Sequence, residues 1–575
     1  MRVLAALAGL GLLANAHPHD EDNHLNRPKS KDSKIAVVGG GIAGIYSAYK
    51  LSKLGYKEIT VFEKSSRIGG KAQTVRMSGH HTDLGTLHWL PAAYDWIFAT
   101  AEELNLPVYN YYFQQDFFTV YWYPITLPEE FQEEYGEQMT LIDFMEHPVI
   151  KGKEILMEVM EVYTAKFKEY FTYSNDQYWW PDMTTDEQME VLGTMTFHDW
   201  LVANDLMMLY PFAAFATSFF LYGQPHTLTA FHGLYLSHPD VFNMIIEKKY
   251  ATYVPYAGYQ GFVETMALDQ QLHVIYNAQI SRIIRKNDDS GRCKKDDCVV
   301  ITYKTKAMAE PIVEKFDFLI NAIHPAYYNK KALKMTKQEA EFFDLDKWES
   351  NRLGLTISMP NKHNKADYRN NMVGNFLGPM LEGTSYEHVL CLNRKIMVPQ
   401  GQMVRNDTGS GADCATYTAW NYDQRMPEFI NCYTENFNVP MSAKGISNGV
   451  ADNEAWNAQV AKDVVKITEG TINVQQRDIR YQHKREYLNR YNFASTAAGY
   501  PIKLFNYNLE NNRNTWFVGA YASFEMMARI SDQIELLLER SGVKERVEER
   551  PNFRDKFFDG PHYMIAPGMD GEHAL

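Results

Sequence analysis

Residues 35–71 read IAVVGGGIAGIYSAYKLSKLGYKEITVFEKSSRIGGK, and this stretch decides how the chain folds. Its first four residues form a short apolar run rich in β-branched side chains, which is typical of a buried parallel strand. Gly39, Gly41 and Gly44 follow in the pattern G-x-G-x-x-G, at the start of an apolar segment with helical spacing. These glycines permit a tight turn, a close approach of backbone to a pyrophosphate, and close contact between helix and strand. The stretch therefore predicts a unit that binds a phosphate-bearing molecule at a helix N-terminus.

The second half of the stretch indicates that this molecule is a dinucleotide. The helical spacing continues through Leu54, and a second strand, Ile59 to Phe62, ends at Glu63. A carboxylate in that place accepts hydrogen bonds from the ribose hydroxyls of an adenosine. Strand, turn, helix, strand and acidic residue occur in the required order, which makes the motif specific.

The residues after Glu63 narrow the dinucleotide to a flavin. The segment from Glu63 to Lys71 reads EKSSRIGGK, and an NAD-binding unit has no need for a basic residue and twin glycines here. A flavin dinucleotide does, because its pyrophosphate and ribityl chain continue past this loop toward a buried ring. The pattern Glu-x-x-x-Arg-x-Gly-Gly after G-x-G-x-x-G resembles the FAD-binding signature of the flavin-containing amine oxidase superfamily.

Four further stretches resemble that superfamily at the chain positions it requires. Residues 83–86 resemble its D-x-G segment near the isoalloxazine, and residues 256–283 resemble the helix and strand that meet the adenine. Residues 316–325 resemble the strand that closes the nucleotide domain. Residues 516–520 precede a helical run, 525–538, whose N-terminus faces the flavin N1/O2 edge in the family. A positive dipole end there would stabilise the anionic reduced flavin.

The resemblance implies a set of FAD-binding residues. No cysteine lies between Gly519 and Glu525, so the cofactor is expected to bind without a covalent link. The implied contacts are Gly39, Gly41, Ile42, Ala43, Gly44, Glu63, Lys64, Arg67, Gly69, Gly70, Lys71, Gly85, Thr86, Ile280, Gly519, Phe524 and Glu525.

The nucleotide-binding stretches are far apart in the chain and must come together in space. Residues 35–95, 255–330 and 485–545 are predicted to assemble into a Rossmann-like α/β FAD-binding domain with the amine oxidase fold. The two insertions, 96–254 and 331–484, are predicted to form an interleaved α+β substrate-binding domain. Ligands bind where domains meet, so some of the many aromatic residues in the insertions are expected to line a cleft.

Length, charge and the N-terminal residues limit the class of protein. The chain has 575 residues and a formal net charge of −14, so it is long enough for two domains and nucleic acid is not an expected partner. Residues 1–16 combine one basic residue, a short apolar run and the small-x-small pattern Ala-Asn-Ala, which predicts a signal peptide and secretion. Residues 17–34 are predicted to be a flexible leader and residues 546–575 a polar tail. No membrane span is expected, because the longest other apolar stretch is shorter than a bilayer.

In the oxidising compartment that secretion implies, cysteines are expected to form disulfides and an N-x-T sequon is expected to be glycosylated. Of the five cysteines, Cys293 and Cys298 flank a hairpin-like Lys-Lys-Asp-Asp tip and are the favoured disulfide pair. The odd count leaves at least one thiol free or intermolecular. A metal site is not expected, because no second Cys/His pair stands at ligand spacing. Asn406 begins an N-x-T sequon and is a predicted glycosylation site.

The expected chemistry is hydride transfer from a substrate carbon to the flavin. No second nucleotide fingerprint is present, so dioxygen is the expected electron acceptor. The sequence departs from the amine oxidase pattern at Ala520, where the family has a carboxylate, and at residues 352–356, which lack its lysine. The segment GAYASFEMMARISDQIELLL resembles two divergent branches, the β-cyclopiazonate dehydrogenase type and the polyenoic fatty acid isomerase type.

The sequence thus predicts a secreted FAD-dependent oxidoreductase that removes hydride from a small apolar or aromatic metabolite, with ring closure as one outcome. Three alternatives stay open: a redox-neutral isomerase of polyunsaturated fatty acids, an amine or L-amino acid oxidase, and a non-catalytic FAD-binding protein. The candidate catalytic residues are Glu525, His88 and Tyr500. Glu525 and His88 also have structural interpretations, as a helix N-terminal acid and a hydrogen-bonded core histidine. The resemblance implies that Tyr500 faces the flavin and forms a wall of the substrate cavity.

Overall fold

The computed structural model describes residues 25–77, 80–84, 89, 93–112, 118–121, 154–171, 185–219, 222, 225–246, 251–255, 257–285, 298–328, 332–358, 386–391, 416–420, 430–440, 479–510, 513–545 and 551. The described strands are β1 Ile35–Val38, β2 Ile59–Phe62, β3 Gln73–Met77, β4 His80–Leu84, β5 Val108–Tyr112, β6 Phe118–Tyr121, β7 Ala251–Pro255, β8 His273–Ile275, β9 Gln279–Arg285, β10 Val299–Lys304, β11 Ile312–Phe316, β12 Phe318–Asn321, β13 Trp348–Ser358, β14 Tyr386–Cys391, β15 Thr416–Trp420, β16 Ile430–Pro440, β17 Ile479–Tyr491 and β18 Thr515–Phe517.

Six of the described helices follow one another between β6 and β7, and the others are distributed along the rest of the chain. The described helices are α1 Ile42–Lys53, α2 Asp95–Glu103, α3 Glu154–Lys168, α4 Asp186–Thr194, α5 Phe197–Ala203, α6 Tyr210–Phe219, α7 Ala230–Leu236, α8 Pro239–Ile246, α9 Gly258–Asp269, α10 Lys337–Phe342, α11 Phe493–Ala497, α12 Tyr500–Glu510 and α13 Met527–Arg540. Single 3-10 turns occur at Met207–Leu209, Pro325–Tyr327 and Leu345–Lys347.

A parallel five-stranded sheet forms the centre of the nucleotide-binding part, in the order β18-β12-β1-β2-β8. Ile35 pairs with Ile59 of β2 on one side and with Phe318 of β12 on the other. The β1 side chains are buried, which explains the uninterrupted apolar run in the sequence. This sheet confirms the predicted Rossmann-like α/β fold class, and its strands come from three distant stretches of the chain.

The carboxyl ends of β1, β12 and β18 meet at one edge of the sheet because the strands run parallel. Gly39 continues β1, Ala322 continues β12, and Gly519 follows β18 by two residues. Ligands of open α/β sheets bind at this edge. The three turns therefore define where a cofactor lies.

A second, six-stranded sheet in the order β17-β13-β16-β15-β14-β6 draws its strands mainly from the two insertions. Strand β17 pairs antiparallel with β13 from residue 479 to residue 491, so it crosses the domain boundary predicted at residue 485. The pairing register shifts between Glu349 and Asn351, where Leu488 and Asn489 of β17 stand opposite the single residue Ser350 of β13. Leu488 has φ of 50°, and such a bulge bends a strand and redirects its side chains.

The leader predicted over residues 17–34 is corrected in its second half. Asn26 is buried and its side-chain amide donates to the carbonyl oxygens of Asn508 and Thr515 at 2.7 and 2.9 Å. The indole of Trp516 donates to the carbonyl oxygen of Asn26 at 2.7 Å. The sequence could not show this, because an asparagine among charged residues has no periodic pattern that predicts burial.

Within the residues that the structure describes, none of the helices has the length and apolar character needed to cross a bilayer.

Candidate active site

A cavity of about 270 Å³ opens at the carboxyl edge of the parallel sheet. Its walls come from the glycine-rich turn, the loop after β2, the segment after β12, strand β17 and the β18–α13 connection. The lining residues are Gly39, Gly41, Ile42, Ala43, Glu63, Gly70, Lys71, Ala72, Tyr94, Tyr222, Ala322, Ile323, His324, Tyr327, Tyr487, Asn489, Gly519, Ala520, Tyr521, Glu525, Met526, Met527 and Ile530.

The glycine-rich turn has the shape of a phosphate cradle. Gly39 has φ of 106°, a conformation that favours glycine. A Cβ added to Gly44 would lie 1.9 Å from the carbonyl oxygen of Gly39, so only glycine lets helix and turn approach this closely. A Cβ on Gly41 would meet only the Cα of Gly70, at 3.8 Å, so packing alone does not exclude a side chain there. Gly41 lines the cavity, and a side chain at this position would therefore take up space beside the cradle.

The N-terminus of α1 offers unpaired backbone donors to this cradle. Gly41 is the N-cap, no side chain caps the helix, and no acidic residue lies in its first turn. The first intrahelical bond runs from the N–H of Ile45 to the carbonyl oxygen of Gly41. Ile42 and Ala43 line the cavity, so their N–H groups and the positive dipole end suit a pyrophosphate.

Glu63 lies beside the cradle with its carboxylate held in place. Oε2 accepts from the N–H of Gly40 at 2.8 Å, and Oε1 accepts from the N–H and hydroxyl of Ser65 at 2.7 and 2.8 Å. The N–H of Ala278 donates to the Glu63 carbonyl oxygen at 2.8 Å, which brings the start of β9 next to this loop. The arrangement suits an adenosine ribose, as the sequence predicts.

The basic residues of the following loop have different positions. Arg67 donates from Nη2 to the carbonyl oxygen of Gly70 at 3.0 Å, so it shapes the twin-glycine turn rather than lining the cavity. Gly69 and Gly70 have φ of 107° and 58°. Lys64 is exposed and lies outside the cavity lining, and Ile280 is half-buried on β9 and also outside it.

The β18–α13 connection forms another wall of the cavity. Gly519 has φ of 119°, and α13 starts after the N-cap Met526 without a side-chain cap or an acidic residue in its first turn. Met526 and Met527 line the cavity. A second helix N-terminus therefore opens into the same space, where it would stabilise negative charge. Phe524 lies behind this wall, with its ring centroid 4.8 Å from that of Tyr222.

One buried carboxylate ties together the two helices that open into the cavity. Glu535 of α13 accepts from the hydroxyl of Tyr46 on α1 at 2.7 Å and pairs with Lys50 on α1 at 2.9 Å. It also pairs with Lys544 at 2.6 Å. Burial alone would raise the pKa of Glu535, but the two ammonium groups lower it below its usual value. The ionised carboxylate thus fixes α1 relative to α13.

Lys71 and Glu525 form an ion pair inside the cavity. The Lys71 ammonium contacts both carboxylate oxygens of Glu525 at 2.6 Å, and the Glu525 side chain is only 6% exposed. Oε2 of Glu525 also accepts from the N–H of Leu488 at 2.9 Å. The hydroxyl of Tyr222 donates to the Glu525 carbonyl oxygen at 2.6 Å. Glu525 therefore connects the twin-glycine loop, the β17 bulge and the start of α13.

His324 lines the cavity and was not among the residues predicted from the sequence. Its Nδ1 accepts from the N–H of Ala326 at 3.1 Å. Burial, and then the charge of Lys71, lowers the pKa of His324 to about 3, so the imidazole is neutral. Its ring stands edge to face against Trp348 and Tyr521, with centroids 4.5 and 5.3 Å apart. A histidine in an apolar run such as FDFLINAIHP gives no sequence signal for this role.

Aromatic side chains form one wall of the same cavity. The rings of Tyr222 and Tyr487 are nearly parallel, with centroids 5.6 Å apart. Tyr94 also lines this wall. Asn489 donates from Nδ2 to the hydroxyl of Tyr327 at 2.8 Å, and this bond joins the β17 bulge to the segment after β12.

Tyr500 does not lie at the cavity, and the hypothesis that it faces the flavin is corrected. Its hydroxyl donates to Oε1 of Glu341 at 2.6 Å on an exposed side of the molecule. The Lys347 ammonium lies 5.1 Å from the centre of its ring. Tyr500 starts α12, and that helix turns it toward α10 rather than toward the sheet edge. Tyr487 on β17 contributes the aromatic ring at the cavity instead.

Several predicted residues cannot be placed. Gly85, Thr86, His88, Asn406 and Cys293 lie outside the described residues. Cys298 is disulfide-bonded, and its pairing with Cys293 stays a prediction.

The parallel sheet, the cradle, the ribose carboxylate and the two open helix N-termini define a dinucleotide-binding flavoprotein. The chain belongs to the family of flavin containing amine oxidoreductases, whose profile matches residues 42–340. The predicted family, and FAD as the cofactor that it implies, are thereby confirmed.

Curated relatives are distant. The 4,4'-diapophytoene desaturase (4,4'-diaponeurosporene-forming) of Staphylococcus aureus strain Newman is 24% identical over 315 residues, which are 49% of this chain and 57% of the relative. The nicotine dehydrogenase of Pseudomonas putida is 35% identical over 91 residues, 15% of this chain and 19% of the relative. The chain thus spans little more than half the length of the desaturase.

Solved structures show the same fold at low identity. A CLA-producing fatty acid isomerase from P. acnes superposes with a TM-score of 0.62 and 15% identity, covering 89% of this chain and 99% of the isomerase. Wild-type putrescine oxidase bound to putrescine gives a TM-score of 0.55 and 12% identity, covering 89% of this chain and 98% of the oxidase. These similarities establish the amine oxidase fold.

The cradle and the chemistry of its donors fit FAD. The α1 N-terminus would hold the pyrophosphate, Glu63 the ribose, and the α13 N-terminus the flavin. When bound, FAD supplies the hydride acceptor. The chain's own residues would position the cofactor, burial keeps His324 neutral, and tyrosines line the same cavity.

Proposed function

We propose that the protein is a secreted FAD-dependent oxidoreductase that removes hydride from a small apolar or aromatic metabolite, as a dehydrogenase or oxidase of secondary metabolism. The observation that carries this proposal is the aromatic wall of Tyr94, Tyr222, Tyr327 and Tyr487 beside the cradle. Its charged neighbours Lys71 and Glu525 are paired with each other. Tyrosine walls bury apolar and aromatic ligands well, whereas a free charge would be needed to select an ionic one.

The names of the relatives support an apolar substrate. The Staphylococcus relative is a desaturase of diapophytoene, and the structural neighbour from P. acnes is a fatty acid isomerase. We extend from these names only the class of substrate. Dioxygen is the proposed electron acceptor, and ring closure of an indole-bearing metabolite, as in the β-cyclopiazonate dehydrogenase type, is one form of the proposed reaction.

A redox-neutral isomerisation of a polyunsaturated fatty acid is the second candidate. It is favoured by the superposition on the fatty acid isomerase, which covers nearly all of that chain. In this reaction the hydride removed from the substrate returns to it, so no acceptor is consumed.

An anaerobic screen of the purified holoprotein tests the proposal. Indole-bearing metabolites, polyunsaturated fatty acids, amines and L-amino acids are added in turn, and the flavin absorbance is followed. Bleaching by an apolar or aromatic metabolite, with peroxide release after air is admitted, supports the proposal. Triene absorbance without oxygen consumption supports the isomerase. Bleaching by amines or amino acids alone contradicts both, and the absence of both bleaching and triene absorbance with every class favours a non-catalytic flavin carrier.

A variant pair tests the aromatic wall directly. Tyr487→Ala should lower the rate of flavin reduction by about tenfold or more, because the substrate loses a contact that holds it before the flavin. Tyr500→Ala is the matched control, since Tyr500 lies away from the cavity. Equal rates for wild type and Tyr487→Ala would contradict the proposed wall.

Secretion is tested separately. The full chain and a form lacking residues 2–16 are expressed in a secreting host, and the medium is assayed for flavoprotein. We expect only the full chain in the medium, with its new N-terminus after Ala16.

A further inference from the structure

The charged residues of the cavity lining have unequal positions. In the part of the chain that the structure describes, the charged lining residues are Glu63, Lys71 and Glu525. Glu63 belongs to the ribose end of the cradle, where Gly40 and Ser65 hold it. Lys71 and Glu525 face each other at the other end.

The Lys71 side chain extends from the cradle to the β18–α13 connection. It follows Gly70, whose Cα would be 3.8 Å from a Cβ on Gly41, the N-cap of α1. Its ammonium reaches Glu525, which directly precedes Met526, the N-cap of α13. A positive side chain and a positive helix end thus lie next to one carboxylate.

The Glu525 carboxylate is fixed as well as buried. Its two contacts with Lys71 and its bond from the N–H of Leu488 leave it in one position. The Glu525 side chain is 6% exposed and that of Lys71 is 40% exposed, and a buried carboxylate acts more strongly on neighbouring charges than one in water. The ion pair is therefore placed to act on any group in the cavity that changes charge.

We propose that Glu525 lowers the reduction potential of the bound FAD and that Lys71 raises it, so that this ion pair sets the potential of the cofactor. Uptake of two electrons and one proton leaves the reduced flavin with one more negative charge than the oxidised form. A carboxylate opposes that charge, while the ammonium and the α13 N-terminus stabilise it. The inference rests on the FAD-dependent redox function and not on the identity of the substrate.

Potentiometric titration of the holoprotein without substrate tests this inference. Glu525→Gln removes the charge but keeps an oxygen that accepts from the N–H of Leu488. We expect a midpoint potential more positive than that of the wild type, at unchanged FAD content. Lys71→Met should shift the potential in the negative direction, and Lys71→Arg should leave it near the wild-type value.

Glu103→Gln is the charge-matched control. Glu103 pairs with Lys53 at 2.6 Å, is 38% exposed, and lies outside the cavity lining. The midpoint potential of the Glu103→Gln variant should therefore equal that of the wild type. A lower melting temperature of Glu525→Gln with an unchanged potential would assign the pair a structural role only and overturn the proposal. An equal shift in the control would also overturn it. If Lys71→Met loses flavin, Glu525→Gln and Lys71→Arg still decide the matter.

Discussion

At the scale of single residues, the site depends on places where no side chain is tolerated. Gly44 touches the carbonyl of Gly39 so closely that a Cβ would lie 1.9 Å from its oxygen and 3.1 Å from Cγ1 of Val37. The first of these neighbours is backbone and cannot rotate away. The identity of this residue is therefore a requirement of the fold itself, before any cofactor binds.

Gly44→Ala should destabilise the protein by about 1–3 kcal/mol, because α1 must move away from β1 to admit the methyl group. Urea unfolding of the apoprotein measures the change. Gly41→Ala is the comparison, since its Cβ meets only Gly70 at 3.8 Å. Equal stabilities for Gly44→Ala and Gly41→Ala would contradict the packing described for the turn.

The sequence predicts the local residues of the site from their spacing, and it predicts the distant residues Gly519 and Glu525 only through the family resemblance. The glycines and Glu63 stand at fixed spacing within one supersecondary unit, so their roles can be read from the chain. The contact of Lys71 with Glu525 joins residues 454 positions apart, and no spacing rule connects them. The sequence gives no signal for His324 or Tyr487 either, because their places at the cavity depend on burial and on the β17 bulge.

At the scale of elements, two helices end in open donors at the same cavity. Neither α1 nor α13 has a side-chain cap or a first-turn acid, although caps stabilise most helices. A ligand that carries negative charge explains both omissions. The sequence located these helices well, and α1 ends at Lys53, one residue before the predicted limit.

Gly41→Asp should separate the stability of α1 from its function. Gly41 has extended φ and ψ of −76° and −179°, which suit an N-cap side chain, so the apoprotein should gain about 0.5–1 kcal/mol. The new carboxylate would occupy the pyrophosphate donors, and FAD affinity should fall by about 100-fold or more. Thermal unfolding and flavin titration of the apoprotein check both effects, with Gly41→Ala as the uncharged control. If Gly41→Asp binds FAD as tightly as the wild type, the pyrophosphate does not bind at the N-terminus of α1.

At the scale of the whole molecule, acid is expected to destabilise the fold through its buried histidines. Burial is the main reason that the pKa of His226 falls to about 4 and that of His324 to about 3, and it also lowers the pKa of His232. Unfolding exposes these imidazoles and returns their pKa values toward 6.5. The unfolded chain then binds more protons, so stability is full above pH 6.5 and falls as the pH drops toward the folded values.

Protonation of His324 in the unfolded chain should by itself make the free energy of unfolding about 2 kcal/mol lower at pH 5 than at pH 7. His324→Asn keeps an acceptor for the N–H of Ala326 but does not titrate, so its unfolding free energy should depend less on pH in this range. Denaturant unfolding at pH 5 and pH 7, at one FAD concentration, gives the comparison. Parallel pH profiles for the two proteins would show that the imidazole is not neutral in the folded state.

The walls of the cavity are contributed by residues near 40, 70, 324, 488 and 525, and Asn26 is bonded to β18. During vectorial synthesis, a nascent chain that lacks its last fifty or so residues has the phosphate turn but not the flavin-side helix. We therefore expect the coenzyme to be captured late, after the C-terminal helix has left the ribosome or the translocon. A flavoprotein built in this way meets its coenzyme only when translation is almost finished, so the supply of coenzyme at that moment limits how much holoprotein forms.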